Sequence, residues 1–189
     1  FSTNTAVIEL DASGNPMTSI DISACAELYD LDINNTPLNA LDISNNPSLE
    51  YLSISGTQII DIDLSSNPVL FELDADHAQL RTLDLSQNPL VEFLNVDNNS
   101  LIKLKLDNGS TDWSDFTAVG NPDLTCVEVS DVSFFETNFP SALDAGASYS
   151  TGCNLAPENI SLLNNDINEG NSIGDIIGSF MTTDTDTGD

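Results

Sequence analysis

Apolar residues recur along this chain with a fixed beat. The first apolar residue of each short segment is Val7, Met17, Leu28, Leu38, Leu49, Ile59, Leu70, Leu80, Val91 and Leu101. The steps between them alternate between 10 and 11 residues without a break, so the true period is 21. Each half-repeat reads apolar-x-x-apolar-x-apolar, as in Leu38-x-x-Leu41-x-Ile43 and Leu80-x-x-Leu83-x-Leu85. The apolar-x-apolar step has the period of two of a strand that buries alternate side chains. A half-repeat holds one short strand and a bend, and no helix. The pattern therefore predicts a mainly β solenoid with two short parallel strands per 21-residue turn, five turns running from residue 7 to 111. One turn cannot bury its own apolar face, so stacked neighbours must do so.

The bends are equally regular. Eight residues past each start stand Asn15, Cys25, Thr36, Asn46, Thr57, Asn67, Ala78, Asn88, Asn99 and Gly109. Pointing inward, Asn and Thr there would satisfy backbone groups freed at the corner and build a polar ladder. Pro follows at Pro16, Pro37, Pro47, Pro68 and Pro89, where no ladder N–H is required. Cys25 occupies this ladder position and is read as a buried structural thiol rather than a nucleophile.

Leu38-Asn39-Ala40-Leu41-Asp42-Ile43-Ser44-Asn45-Asn46-Pro47 and Leu80-Arg81-Thr82-Leu83-Asp84-Leu85-Ser86-Gln87-Asn88-Pro89 resemble the nested 21-residue class of bacterial leucine-rich repeats, common in secreted and surface proteins of Bacteroidetes. The resemblance covers residues 7 to about 111. It implies an extracellular recognition scaffold and no single ligand.

After Gly109 the pattern leaves one echo, Asn121-Pro122-Asp123-Leu124-Thr125-Cys126-Val127, and aromatic residues gather: Trp113, Phe116, Phe134, Phe135, Phe139 and Tyr149. A solenoid end exposes an apolar cross-section and an open strand edge, so residues 112–155 are expected to form a C-terminal cap. Cys126 and Cys153 flank its latter part and are expected to form a disulfide worth ~3 kcal/mol, which implies an oxidising compartment. Residues 156–189 resemble the opening of a cadherin-like domain, with Ile167-Asn168-Glu169 followed by Asp184-Thr185-Asp186. That resemblance implies Ca2+ ligands at Glu169, Asp184 and Asp186 and further domains in the same longer chain. An acidic linker is the other reading of this stretch.

Charge changes the picture of possible partners. The chain carries 31 acidic residues against 3 basic ones, a net charge of −28. Nucleic acid and anionic membrane surfaces would be repelled. No stretch approaches the ~20 apolar residues of a membrane-spanning helix, so membrane insertion is not expected. Phe1-Ser2-Thr3 shows no basic region or apolar core of a signal peptide and reads as the start of a trimmed chain.

Stacking sorts the outward positions into columns. One wall should carry Asp11, Asp32, Ser53, Asp74 and Asn95, and the other Asp21, Asp42, Asp63, Asp84 and Lys105. Carboxylates at ~4.8 Å spacing repel, so each column needs hydrogen bonds from neighbouring Ser or Thr, or bound cations. The first wall also places Tyr29, Tyr51, Phe71 and Phe93 beside Asp30, Glu72 and Asp74, with His77 nearby. Exposed rings flanked by acids suit a sugar-binding or protein-binding face, whereas rings lying under loops would serve packing alone. Catalysis finds no support: His77 is the only histidine, and the Asp residues recur as a register instead of converging as an acid and a nucleophile. The sequence thus predicts a non-enzymatic binding or adhesion module of a secreted or cell-surface protein, recognising carbohydrate or protein through its walls. The rival reading is a stalk segment, stiffened by Ca2+ in the domains that follow.

Overall fold

The computed structural model describes residues 4–110 and 112–153, together with the backbone of strands at Asn159–Leu162 and Phe180–Thr183. The chain divides into two compact units, Phe1–Thr151 and Gly152–Asp189. In the second unit the two strands pair antiparallel, Asn159 opposite Thr183 and Leu162 opposite Phe180.

The first unit is a parallel β-solenoid of about seven turns. Its strands are β1 (Glu9–Asp11), β2 (Asp30–Asp32), β3 (Tyr51–Ser53), β4 (Glu72–Asp74), β5 (Thr82–Asp84), β6 (Phe93–Asn95), β7 (Lys103–Lys105), β8 (Asp115–Thr117), β9 (Cys126–Glu128) and β10 (Ser148–Ser150). The first wall is a six-stranded sheet in the order β1-β2-β3-β4-β6-β8, and the second is a four-stranded sheet in the order β5-β7-β9-β10. Every strand in both pairs parallel with its neighbours. The register stacks identical repeat positions: Leu10, Leu31, Leu52, Leu73, Leu94 and Phe116 form one inward column. From Leu31 onward that column is buried.

The two walls are not equivalent, which corrects the expectation of two strands in every turn. At 20–22, 41–43 and 62–64 the chain forms no ladder. Ile20, Leu41 and Ile62 are also only partly buried there, whereas Leu83 and Leu104 of the laddered turns are buried. The ladder begins where the outward column stops being uniformly acidic. Asp84 stacks on Lys105 and Lys105 on Glu128, with Lys105 Nζ 3.2 Å from Glu128 Oε1. Directly opposed like charges weaken a strand pair. Asp11 does stack on Asp32 in the first wall, but a row of rings packs alongside it, and the second wall has none over its first three turns.

The interior corners carry the ladder. Asn46 Nδ2 donates to Ile22 O and Cys25 O, Asn67 Nδ2 to Ile43 O and Asn46 O, and Asn88 Nδ2 to Leu64 O and Asn67 O, all within 3.2 Å. Each amide therefore ties its own turn to the one below. Asn99 and Asn121 do the same along the other corner, and Thr36 and Thr57 donate to carbonyls of their own turn. Cys25 is a buried free thiol whose Sγ lies 3.2 Å from Asn4 O, in keeping with a structural role. Two ladder positions differ from expectation. Asn15, in the first described turn, is exposed and bonds to Ala12 O and Ser13 O. At the other end Asn108, not Gly109, takes the inward place and donates to Asn88 O, while Gly109 turns the corner with φ +75°.

The prolines leave a trace in this ladder. Asn99 Oδ1 accepts from Gln79 N and Leu80 N of the turn below. For Asn67 and Asn88 the residue matching Gln79 is Pro47 and Pro68, which have no N–H to give. The Oδ1 atoms of Asn67 and Asn88 are buried without a partner, and so is that of Asn46, where the matching residue is Ala26 and proline is not the cause.

A second regularity closes each first-wall strand. Gly14, Asn35, Gly56, His77, Asn98 and Gly120 form a column in the left-handed region, with φ from +54° to +81°. Asn and His are among the side chains that tolerate this region. Glycine at two of these positions also sits close against the asparagine of the turn below. A Cβ on Gly56 would stand 2.7 Å from Asn35 Oδ1, and one on Gly120 2.6 Å from Asn98 Oδ1.

Beyond residue 111 the solenoid both continues and closes. β8 extends the first wall, and β9 and β10 extend the second. Helix α1 (Val132–Asn138) is capped by Asp131, which accepts from Phe134 N at 3.0 Å, and it buries Phe135. Phe135 packs edge-on against Trp113 and Phe116, and Tyr149 donates through its hydroxyl to Phe139 O. This aromatic plug covers the apolar end of the stack. Cys126 and Cys153 are joined as a disulfide.

If the asparagine column holds the turns together, Asn67→Ala should destabilise by about 2 kcal/mol, since Ile43 O and Asn46 O each lose one of two bonds. Urea unfolding followed by circular dichroism measures this. A cost well under 1 kcal/mol would show the column to be passive.

Candidate ligand-binding face

The outward side of the first wall is built from two columns flanking the buried leucines. One runs Glu9, Asp30, Tyr51, Glu72, Phe93, Asp115, and the other Asp11, Asp32, Ser53, Asp74, Asn95, Thr117. Tyr29 and Phe71 each precede a strand by one residue, whereas Tyr51 and Phe93 lie within strands. This offset lets the four rings mesh into a single zigzag row. Ring centroids are 6.3 Å apart for Tyr29–Tyr51, 5.8 Å for Tyr51–Phe71 and 5.3 Å for Phe71–Phe93, with interplanar angles of 79°, 64° and 58°. All four rings are half-buried.

Beside the row the wall is concave. A groove of about 550 Å³ lies over β1–β4, lined by Glu9, Asp11, Asp30, Asp32, Tyr51 and Glu72 among others. A second hollow of about 210 Å³ lies over β4, β6 and β8, with Glu72, Asp74, Phe93 and Asp115 in its lining. Glu72 lines both, so the two acidic hollows adjoin there and together make up the trough of this wall. The sequence-nominated residues Tyr29, Tyr51, Phe71, Phe93, Glu72 and Asp74 therefore come together on this wall. Asp74 Oδ1 is buried there without a hydrogen-bond partner.

The carboxylates fall into two classes. Most aspartates at strand ends are capped locally, as the hydrogen-bonding reading expects. Asp11 Oδ1 accepts from Ser13 N and Oγ at 2.9 and 2.6 Å, and Asp21 and Asp42 accept likewise from Ser23 and Ser44. Asp63 and Asp84 accept from Ser65 N and Ser86 N. These serine bonds favour the ionised form and hold Asp11, Asp21, Asp42 and Asp63 below the usual carboxylate range. Asp30 is the opposite case. Burial, followed by repulsion from Glu9, Asp32 and Asp11, raises its pKa. Among the described residues no group of three or more His, Cys, Asp or Glu is arranged to hold a metal ion. Glu169, Asp184 and Asp186 lie outside the described residues.

Several groups in the trough were not nominated from sequence. Glu9, Asp11 and Asp32 were visible as repeat positions but not as a concave cluster with Asp30. Asp115 was hidden by the break in the beat. Trp113 takes the next start 12 residues after Leu101, which places Asp115 22 residues after Phe93 and in register with it. A search allowing a one-residue insertion would have found it. His77 lines neither hollow and is exposed, with Nδ1 2.7 Å from Asp76 Oδ1.

No family model and no curated protein matches the chain. Among solved structures it is similar to the functional domain of InlJ from Listeria monocytogenes, described as including a cysteine ladder, at 25% identity and a TM-score of 0.50. The likeness covers 71% of this chain and 38% of that one, so the chain spans well under half the neighbour's length. The neighbour is a leucine-rich-repeat protein, and the first unit here is a solenoid of the same type. Where that description names a cysteine ladder, Cys25 is here the only cysteine in a column otherwise built mainly of asparagine. No helix among the described residues is long and apolar enough to cross a membrane.

Two tyrosines make alkaline stability a test of this geometry. Tyr29 donates to Glu9 Oε1 at 2.5 Å, and that bond, with burial and nearby acids, pushes its pKa up to about 12. Burial pushes Tyr149 up to about 12 as well. Folding thus favours the protonated phenols, so their contribution is whole below about pH 10 and is lost as pH rises through 12. Denaturant midpoints at pH 9, 10.5 and 12 should fall progressively, with a smaller fall in Tyr29→Phe. An unchanged midpoint would contradict the Tyr29–Glu9 bond.

Proposed function

We propose that this chain is a non-enzymatic binding module of a secreted or cell-surface adhesive protein, and that the first wall is its ligand face. The observation that carries the reading is the zigzag row of Tyr29, Tyr51, Phe71 and Phe93, half exposed along an acidic trough. Buried packing does not require four meshed rings on the outer side of a sheet, and aromatic anchors beside a polar rim are how protein interfaces are built.

Protein is favoured over carbohydrate as the ligand. Sugars stack on ring faces presented flat to solvent. Here each ring turns its edge or face to the next at 58° to 79°, which leaves no coplanar platform. The similarity to a bacterial leucine-rich-repeat surface protein supports a protein-binding or adhesive role in the same direction. The second wall suits a passive surface, because its aspartates are occupied by their own serines.

An array of extracellular proteins and glycans tests this. The chain should capture protein, and the double variant Tyr51→Ala/Phe71→Ala should weaken that capture at least about thirtyfold, the scale of losing a central aromatic anchor. Asp42→Asn/Asp63→Asn on the second wall should leave it unchanged. Capture of glycans alone, or first-wall variants that bind like wild type, would overturn the reading.

A further inference from the structure

The first-wall column that forms the trough floor alternates in chemistry from β2 onward. Asp30, Tyr51, Glu72, Phe93 and Asp115 follow one another in register, one per strand, so acid and ring take turns. Stacked strands lie ~4.8 Å apart, which puts successive acids ~9.6 Å apart with a ring midway between each pair. A polyproline II helix rises ~3.1 Å per residue with three residues per turn, so every third side chain recurs on one face after ~9.3 Å. Over the three acids the two spacings drift apart by less than about 1 Å. An extended β-strand repeats its facing side chains every ~6.6 Å and falls out of step within two positions.

We propose that the trough binds a cationic protein segment in polyproline II conformation, with Lys or Arg at every third residue. This rests on the reading of the first wall as the ligand face and names the class of partner. The cations would meet Asp30, Glu72 and Asp115, and the intervening prolines would pack on Tyr51 and Phe93. Three observations converge on this occupant. The two hollows of the trough adjoin at Glu72 and between them take in Asp30, Glu72 and Asp115. Its lining is acidic, and Asp30 and Glu72 carry no local serine cap of the kind that occupies Asp11, Asp21 and Asp42. Asp30 moreover lies near Glu9, Asp32 and Asp11, whose repulsion adds to burial in raising its pKa, so an incoming cation relieves repulsion already present. The half-buried Tyr51 and Phe93 between the acids supply exposed apolar surface of the sort that proline-rich ligands use.

Charge alone would draw any polycation to a chain of net charge −28, so the test must separate register from attraction. Two labelled nonapeptides of one composition serve as probes, one reading Lys-Pro-Pro three times and the other with its three lysines together followed by six prolines. Fluorescence anisotropy against the full chain should show the regularly spaced peptide binding about tenfold tighter, as three in-register contacts against one imply. The triple variant Asp30→Asn/Glu72→Gln/Asp115→Asn should abolish that preference. The charge-matched triple Asp21→Asn/Asp42→Asn/Asp63→Asn on the second wall should preserve it, with circular dichroism confirming both folds. Equal affinity for the two peptides, or equal losses in the two triples, would overturn the proposal. If the peptides bind equally while Tyr51→Ala/Phe71→Ala still loses protein capture, only the polyproline register is wrong. If those ring variants also capture protein as wild type does, the ligand face itself is wrong.

Discussion

The structure depends on the hydrogen bonds that asparagine side chains make from one turn to the next. A corner of a solenoid turns backbone carbonyls inward, where no water reaches them, and a buried unpaired carbonyl costs as much as a lost hydrogen bond. Asn46, Asn67 and Asn88 resolve this by donating from one amide to two carbonyls, both in the turn below. The period of 21 then has to be kept, because a turn that slips by one residue withdraws its amide from the column. Where the beat does slip, after Leu106, the chain keeps the column by moving Asn108 inward and spending Gly109 on the bend.

From that fixed interior the two walls diverge. Both inherit outward columns with the same register, but only the first wall fills its columns with rings that pack on one another. Those rings pack along a continuous six-stranded ladder, beside a trough in which Asp30 and Glu72 carry no serine cap. The second wall places like charges above one another through its first three turns and lets the ladder lapse there, resuming it where Lys105 separates Asp84 from Glu128. The two walls thereby differ in kind, one laddered and ringed and the other open to solvent, although a single repeat wrote both.

The solenoid was legible in the sequence because a two-residue alternation repeated every 21 positions has few other physical solutions. The inward identity of Cys25, Thr36 and the asparagines followed from the same counting, and so did the pairing left to Cys126 and Cys153. The serine caps on Asp21 and Asp42 were legible too, since an Asp two residues before a Ser at a strand end forms a local turn almost unaided. What could not be read was the lapse of the second ladder, which depends on how neighbouring columns share charge and packing across turns. The trough was similarly hidden. Glu9, Asp30 and Asp115 sit far apart in the chain, and Asp115 lies beyond a one-residue break that removes it from any strict period. The edge-to-face angles of the rings, which turn the reading from sugar towards protein, belong to side-chain packing and leave no mark in the spacing.

The account stands on the two walls differing in kind, and hydrogen exchange followed by mass spectrometry examines that most directly. Peptides covering β2, β3, β4 and β6 should share slow exchange of the ladder amides. Those covering 18–23, 39–44 and 60–65 should exchange orders of magnitude faster, because no ladder protects them. Equal protection on both walls, or a first wall that opens as readily as the second, would contradict the claim that the ringed wall is a preformed, rigid surface for a ligand.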